Sequence, residues 1–228
     1  LACGLLLVSP CVPLVFMGEE YGETRPFPFF CSFLDRQLAD AVGRGRRSEL
    51  AGFAWQADIP DPQAPETFES AKLQWAWPAG SFHSQIRQLY ADLIAARRRW
   101  PALRDRRHTS AEIRGQVSKP PDCVRGVRGQ GTGDSSRRRT PADRAPCEHG
   151  RPRLSAVLVL RRGEGPGLTA YANLTPDRVG VPPPEAAEGS IVLSTEEPRY
   201  GGRRNVQMPL AYLDPYEMCL LGPREWRL

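Results

Sequence analysis

Two adjacent carboxylates, Glu19 and Glu20, close the stretch VPLVFMGEEY, residues 12–21. Paired carboxylates do acid–base and nucleophilic chemistry when they flank one bond, about 5 Å apart where one of them attacks. Neighbours on an extended chain point to opposite sides, so Glu19 and Glu20 are poorly placed to flank one bond. They read instead as the wall of a site, or as caps and ion-pair partners of the following loop. Tyr21, Phe27, Phe29, Phe30 and Trp55 could lay flat apolar faces against a ligand, or could simply be packed for their area. The six cysteines, Cys3, Cys11, Cys31, Cys123, Cys147 and Cys219, contain no C-x-x-C pair, so neither a zinc knuckle nor a redox motif is written. They read as idle thiols in a reducing compartment, and no cofactor or metal is expected.

These residues need elements to position them. Val12–Met17 reads as a short strand, entered through Pro10 and Pro13 after a helix end at Leu1–Val8. Leu34–Phe53 can form a helix with Leu38, Ala41 and Val42 on one face. Ser81–Arg99 is the clearest helix, with Phe82, Ile86, Leu89, Tyr90, Leu93 and Ile94 along one stripe. Arg97, Arg98 and Arg99 complement the negative end of its dipole. Beyond residue 153 the strand candidates are Ala156–Arg161, Leu168–Asn173, Ser190–Ser194 and Glu217–Leu221, which suggest a small antiparallel sandwich.

A length of 228 residues suffices for one large domain or two ordinary ones, and the net charge is +5. Residues 119–153 hold nine Lys/Arg against four Asp/Glu, and 9 − 4 = +5 is the whole excess. This segment is poor in large apolar side chains and rich in Gly, Pro and Arg, so it is expected to be a disordered basic insert within 113–153. Arg137, Arg138 and Arg139 could grip phosphates, but no aromatic residue is interleaved to stack on bases, so no nucleic-acid partner is expected. The apolar opening LACGLLLV is too short to span a bilayer and has no basic leader, so no membrane partner is expected and a cytoplasmic location is consistent.

The run from Cys11 to Glu20 resembles the G-x-P-x-x-x-x-G-x-E pattern at the eighth barrel strand of the alpha-amylase family of glycoside hydrolases. Cys11 stands where the first glycine is usual. The continuation MGEEYGETRPFPFF, then GRGRRSELAGF, then IPDPQAPETFESAKLQW (residues 59–75) resembles a trehalose-releasing branch of that family. The resemblance is good over residues 1–105 and loose beyond them.

The resemblance implies an α+β fragment: the last strand and helices of a (β/α)8 TIM barrel over 1–112, the insert 113–153, and a C-terminal antiparallel β-sandwich over 154–228. It implies that the nucleophile and the acid/base lie on earlier strands, in a missing N-terminal part of the same polypeptide, and that no catalytic residue is in this chain. Barrel sites lie at the carboxyl ends of the strands, so Glu19, Glu20, Tyr21 and Phe27 become substrate-binding candidates. The implied substrate is maltooligosyltrehalose, or a maltooligosaccharide more generally, cut at the α-1,4 bond next to the terminal trehalose by double displacement. Two alternatives stand beside this: a branching or amylase-type enzyme, and a non-catalytic carbohydrate-binding or structural β-sandwich.

The composition of residues 119–153 carries its own expectation. Limited trypsin digestion should cut there before anywhere else, and deletion of the segment should leave folding intact. Persistent protection of its arginines would overturn the reading.

Overall fold

The computed structural model describes residues 1–51, 60–118, 153–165, 167–181 and 189–228. Most of the expected insert and Trp55 therefore lie outside the described residues. The architecture is α+β with an antiparallel sheet, in two compact units: Leu1–Val12, Leu93–Pro198 and Gly202–Leu228 form the first, Pro13–Asp92 and Arg199–Gly201 the second.

The helices are α1, Ala2–Val8; α2, Arg36–Ala51; α3, Pro65–Ser70; α4, Phe82–Arg99; and α5, Pro101–Arg104. Pro65 and Pro101 each sit in the first helical turn, where proline's missing N–H costs nothing. Along α4 the buried residues are Leu89, Tyr90, Leu93 and Ala96. Phe82 and Ile94, expected on the same stripe, are exposed. Helix α2 forms as its periodicity predicts, but its leading apolar residue, Leu38, is 46% exposed. Residues 12–16 form neither helix nor strand, contrary to the expected strand Val12–Met17. A strand is defined by the neighbour it pairs with, and none among the described residues pairs with this run.

In the first unit the strands are β1, Thr109–Ser118; β2, Arg153–Arg162; β3, Leu168–Asn173; β4, Val179–Gly180; β5, Ser190–Ser194; β6, Tyr212–Leu213; and β7, Met218–Gly222. Five of them form one antiparallel sheet in the order β1-β2-β3-β7-β5, and β4 pairs with β6 alone. The four strands expected beyond residue 153 are present. Strand β1 corrects the expected insert boundary: residues 113–118 pair with 153–158 and belong to the sheet. Glu112, Arg114 and Gln116 break its apolar content, and its pairing with the Val/Leu-rich β2 supplies what propensity does not.

Strands β3 and β7 are buried at every position. A sheet covered on both faces shows no polar alternation. On one face Val159, Tyr171 and Cys219 are successive cross-strand neighbours, packed with Val157, Val181, Ile191, Leu210, Leu213 and Leu221. On the other, helix α1 approaches so closely that a Cβ on Gly4 would lie 2.7 Å from the Met218 sulfur.

Two guanidinium groups tie this unit together. Arg97 donates to the carbonyls of Leu7, Ser9 and Cys11 at 2.5, 2.7 and 2.6 Å, so it serves the end of α1 as well as that of its own helix. Arg162, 1% exposed, donates to the carbonyls of Val8, Leu103 and Asp105. Both meet the partial negative charge of helix C-termini. Burial lowers the pKa of each.

A buried ion pair sits beside β7. Glu217, 0% exposed, accepts from Arg204 through Nε at 2.6 Å and through Nη2, from the Ser194 hydroxyl at 2.6 Å and from the Asp214 N–H at 2.8 Å. Burial alone would raise its pKa, but the hydrogen bonds from Arg204, Ser194 and Asp214 outweigh it and the carboxyl lies below its ordinary range. A depressed folded pKa gives stability that is full above the ordinary carboxylate range and lost as pH falls through the folded value.

Arg204→Met should therefore destabilise the chain by about 3–5 kcal/mol, because it strands a buried charge. Adding Glu217→Leu should recover most of that loss. Urea melts of the single and double variants at neutral pH check this; a double variant no more stable than the single one would mean the network is held by more than the pair.

Candidate functional site

The second unit carries the Glu19–Glu20 pair, on a single turn of 3-10 helix, Glu19–Tyr21, bracketed by two glycines. Gly18 has φ +89° and Gly22 φ +68°, which side-chain-bearing residues rarely adopt. A Cβ on Gly18 would also meet the Glu23 Cβ at 2.8 Å, and one on Gly22 the Phe82 ring at 2.8 Å. The G-x-x-x-G spacing of MGEEYG is thus a backbone requirement.

Both Glu19 oxygens are taken, one by the Phe16 N–H at 3.1 Å and the other by the Tyr90 hydroxyl at 2.6 Å. Glu20 accepts the Gly18 N–H at 2.9 Å through one oxygen. Among the described residues its other oxygen has no donor. Tyr21 is 1% exposed and stacked on Trp77, centroids 4.5 Å apart and planes 20° from parallel. A ring so enclosed offers no face to a ligand, which corrects the expectation for Tyr21. The Tyr21 carbonyl faces His83 Nδ1 at 2.9 Å, which must carry its proton to donate there.

A third carboxylate, missed in the sequence, organises the loop. Glu23 accepts the Gln74 N–H at 2.8 Å, the Arg25 N–H at 3.0 Å, the Thr24 N–H at 2.9 Å and the Tyr21 hydroxyl at 3.3 Å. The Gln74 bond first, then the others, lower its pKa to about 2. Arg25 adds a second strut, donating to the Lys72 carbonyl at 2.8 Å and to the Gln74 side chain at 3.3 Å. Residues 72–74 are thereby laid against 23–25.

A cleft of about 400 Å³ opens on this loop, lined by Phe16, Met17, Glu19, Glu23, Arg25, Phe27 and Leu73 among others. Glu19 and Phe27 are brought together there, whereas Glu20 and Tyr21 are not part of its wall. Phe29 lies beneath the Arg46 guanidinium, 5.5 Å from the ring centroid. Phe16, Arg25 and Leu73 were not singled out in the sequence. The one signal for them was the strand-end position of Phe16, and Leu73 reaches the cleft through long-range pairing that no local pattern reports. Among the described residues no group of three or more His, Cys, Asp or Glu side chains could hold a metal, and no helix is long and apolar enough to cross a membrane.

The lining thus combines two apolar rings, Phe16 and Phe27, with two carboxylates and a guanidinium. The chain resembles the structure of a putative alpha amylase from Salmonella typhimurium, with a TM-score of 0.58 and 26% identity over 97% of this chain and 30% of that one. In sequence it is similar to malto-oligosyltrehalose trehalohydrolases. It is 45% identical over 102 residues to that of Mycobacterium tuberculosis, covering 44% of this chain and 18% of the relative. It is 44% identical over 104 residues to that of Rhizobium sp., covering 45% and 17%, and 37% identical over 100 residues to that of Saccharolobus solfataricus, covering 44% and 16%. The chain thus spans less than a fifth of the length of these relatives. No family model matches it.

The geometry around Glu23 sets a pH test. Its pKa falls from an ordinary 4.5 to about 2, so its stabilisation is present above 4.5 and disappears as pH drops toward 2. Glu23→Gln should melt below the wild type at pH 7, with the gap closing across that window. A gap that persists unchanged at the acid end would show that the glutamate acts through shape rather than charge.

Proposed function

We propose that this chain is the C-terminal portion of a trehalose-releasing glycoside hydrolase. Residues 1–108 would supply the last strand and helices of its (β/α)8 barrel, and the sheet from Thr109 onward, whose first strand takes up 109–112 of the expected barrel part, a C-terminal β-sandwich. In this reading residues 12–17 are the eighth strand, whose ladder partners come from polypeptide outside this sequence. The intact enzyme hydrolyses the α-1,4 bond next to the terminal trehalose of maltooligosyltrehalose and releases trehalose, in the cytoplasm. The observation that carries the reading is the identity of 37–45% over about a hundred residues to proteins of that activity.

The division of labour follows from the carboxylates present. Double displacement needs a nucleophile and an acid/base on opposite sides of one bond. Glu19 is consumed by Phe16 and Tyr90, and Glu23 by four donors. Neither keeps an oxygen free to attack or to relay a proton. Glu20 retains one, and on a strand-end turn it is suited to accept a sugar hydroxyl. The chain contributes the wall of the site, with Phe27 as an apolar face, while the reacting carboxylates belong to the remainder of the polypeptide. The whole-chain likeness to a putative alpha amylase favours one second reading, an amylase-type enzyme, which would release maltooligosaccharides without trehalose.

The polypeptide that includes the acid and nucleophile should release trehalose from maltooligosyltrehalose, whereas residues 1–228 alone should release none. Products free of trehalose would select the amylase reading, and activity of the short chain would mean the catalytic groups are misassigned. Within the active polypeptide, Glu20→Gln should lower kcat/KM about 10- to 100-fold, the loss of one charge-assisted hydrogen bond. Glu19→Gln should lower the melting temperature more than the rate. Steady-state kinetics paired with melting curves decide between them.

A further inference from the structure

Strand β1 forms one edge of the five-stranded sheet, so among the described residues the outer side of its backbone has no ladder partner. Edges of this kind are commonly blunted by a proline, a bulge or short length, because unpaired N–H and C=O groups invite another strand. None of those devices is present in β1. Thr109–Ser118 is 10 residues long, contains no proline, and keeps an unshifted register with β2 from Thr109 to Ser118. In its middle Ala111, Glu112, Ile113, Arg114 and Gly115 are all exposed, Ile113 by 69%.

The two faces of this edge differ in character. Glu112 and Arg114 stand opposite Val159 and Val157 and share one face, where the Glu112 carboxylate accepts from Arg114 at 2.5 Å and from Arg161 at 2.9 Å. Ile113 lies on the other face, opposite Leu158. Charge on an edge strand ordinarily repels a second strand. In β1, however, the two charges that flank Ile113 are of opposite sign. When such a strand meets its own copy antiparallel about Ile113, Glu112 of each copy stands opposite Arg114 of the other, and opposite charges in that position attract. The two isoleucines meet on the other face, each flanked by Leu158 of its own chain. A shift of two residues either way would set Glu112 against Glu112 or Arg114 against Arg114. A slip of one would turn the charged face of one copy to the apolar face of the other. The pattern therefore favours a single register.

We propose that β1 pairs antiparallel with β1 of a second copy about a two-fold axis at Ile113, joining their five-stranded sheets into one continuous sheet. The interface is isologous, so every contact occurs twice and the assembly closes as a dimer. Main-chain bonds between the two edges supply the affinity, and the Glu112–Arg114 contacts fix the register. An interface of one strand per copy is small, which sets the expected Kd at about 1–100 µM.

The test follows self-association of the complete polypeptide that carries this chain by analytical ultracentrifugation. The wild type should dimerise in that range, and more weakly as salt is raised. Glu112→Arg and Arg114→Glu each set like charges against one another across the axis, and each should raise Kd roughly 10- to 100-fold. Mixed in equal amounts, the two variants should associate with each other about as well as the wild type does with itself, because one then presents two cations to the two carboxylates of the other. Charges that served only the fold of their own chain would not give that rescue. Should either reversal fail to fold, Ile113→Cys decides: on mild oxidation it should form an interchain disulfide above the background of the wild-type cysteines, whereas Ala111→Cys, set opposite Gly115 of the second copy, should not. A polypeptide still monomeric at about 500 µM, whatever lies along β1 instead, would overturn the pairing. So would reversals that leave association unchanged, variants that ignore each other on mixing, or an Ile113→Cys chain that gains no disulfide.

Discussion

The geometry of the candidate site depends on one carboxylate, that of Glu23. Glu23 gathers three backbone N–H groups and a phenolic hydroxyl, and one of those N–H groups, that of Gln74, lies 51 residues away. A carboxylate that accepts several N–H groups is held ionised below the ordinary range, and the same bonds tie residues 23–25 to Gln74. Gly18 can then hold its left-handed conformation directly over the Glu23 Cβ, and the turn Glu19–Tyr21 follows with no freedom left to its backbone. Glu19 finds Tyr90, and Tyr21 is pressed flat on Trp77. The aromatic residues next along the chain are left in the open.

The first unit solves a different problem by the same chemistry. The central strands of its sheet, β3 and β7, are buried at every position, so polar groups beside them are satisfied within the protein. Glu217 and Arg204 answer each other, with Ser194 and Asp214 completing the set, and Cys219 is kept protonated by burial and by its carboxylate neighbour. Arg97 and Arg162 do the converse, spending positive charge on main-chain carbonyls where helices end. In both units charge is used to fix backbone.

Much of this was legible in the sequence. Period 3.6 marked α4, and short largely apolar runs between turn residues marked β2, β3, β5 and β7 within a residue or a few of their bounds. The relationship to trehalose-releasing amylase-type enzymes was carried by residues 11–75 and stands in the comparisons. What escaped was what depends on a partner. Thr109–Ser118 looks too polar for a strand until β2 is laid beside it, and Val12–Met17 looks like one but has nothing described to pair with. Tyr90 read as one more apolar position on a helix stripe, because a hydroxyl that caps a carboxylate 71 residues away leaves no local trace. Glu23 carries no local mark beside the adjacent pair Glu19 and Glu20, because the number of donors that converge on a carboxylate is set by the fold and not by its neighbours in sequence.

The contrast between saturated and unsaturated groups is the most informative feature of the second unit. A carboxylate whose lone pairs are filled by the protein gains nothing by meeting a ligand, since every new bond would replace an existing one of similar strength. An exposed aromatic ring held by its neighbours' edges has, by contrast, lost its conformational freedom already and still has area to bury, so ligand contact there carries little further entropic cost. In the second unit Glu19 and Glu23 are of the first kind, spent on holding the turn and the run 72–74, and the half-exposed Phe16 and Phe27, set edge to face, are of the second.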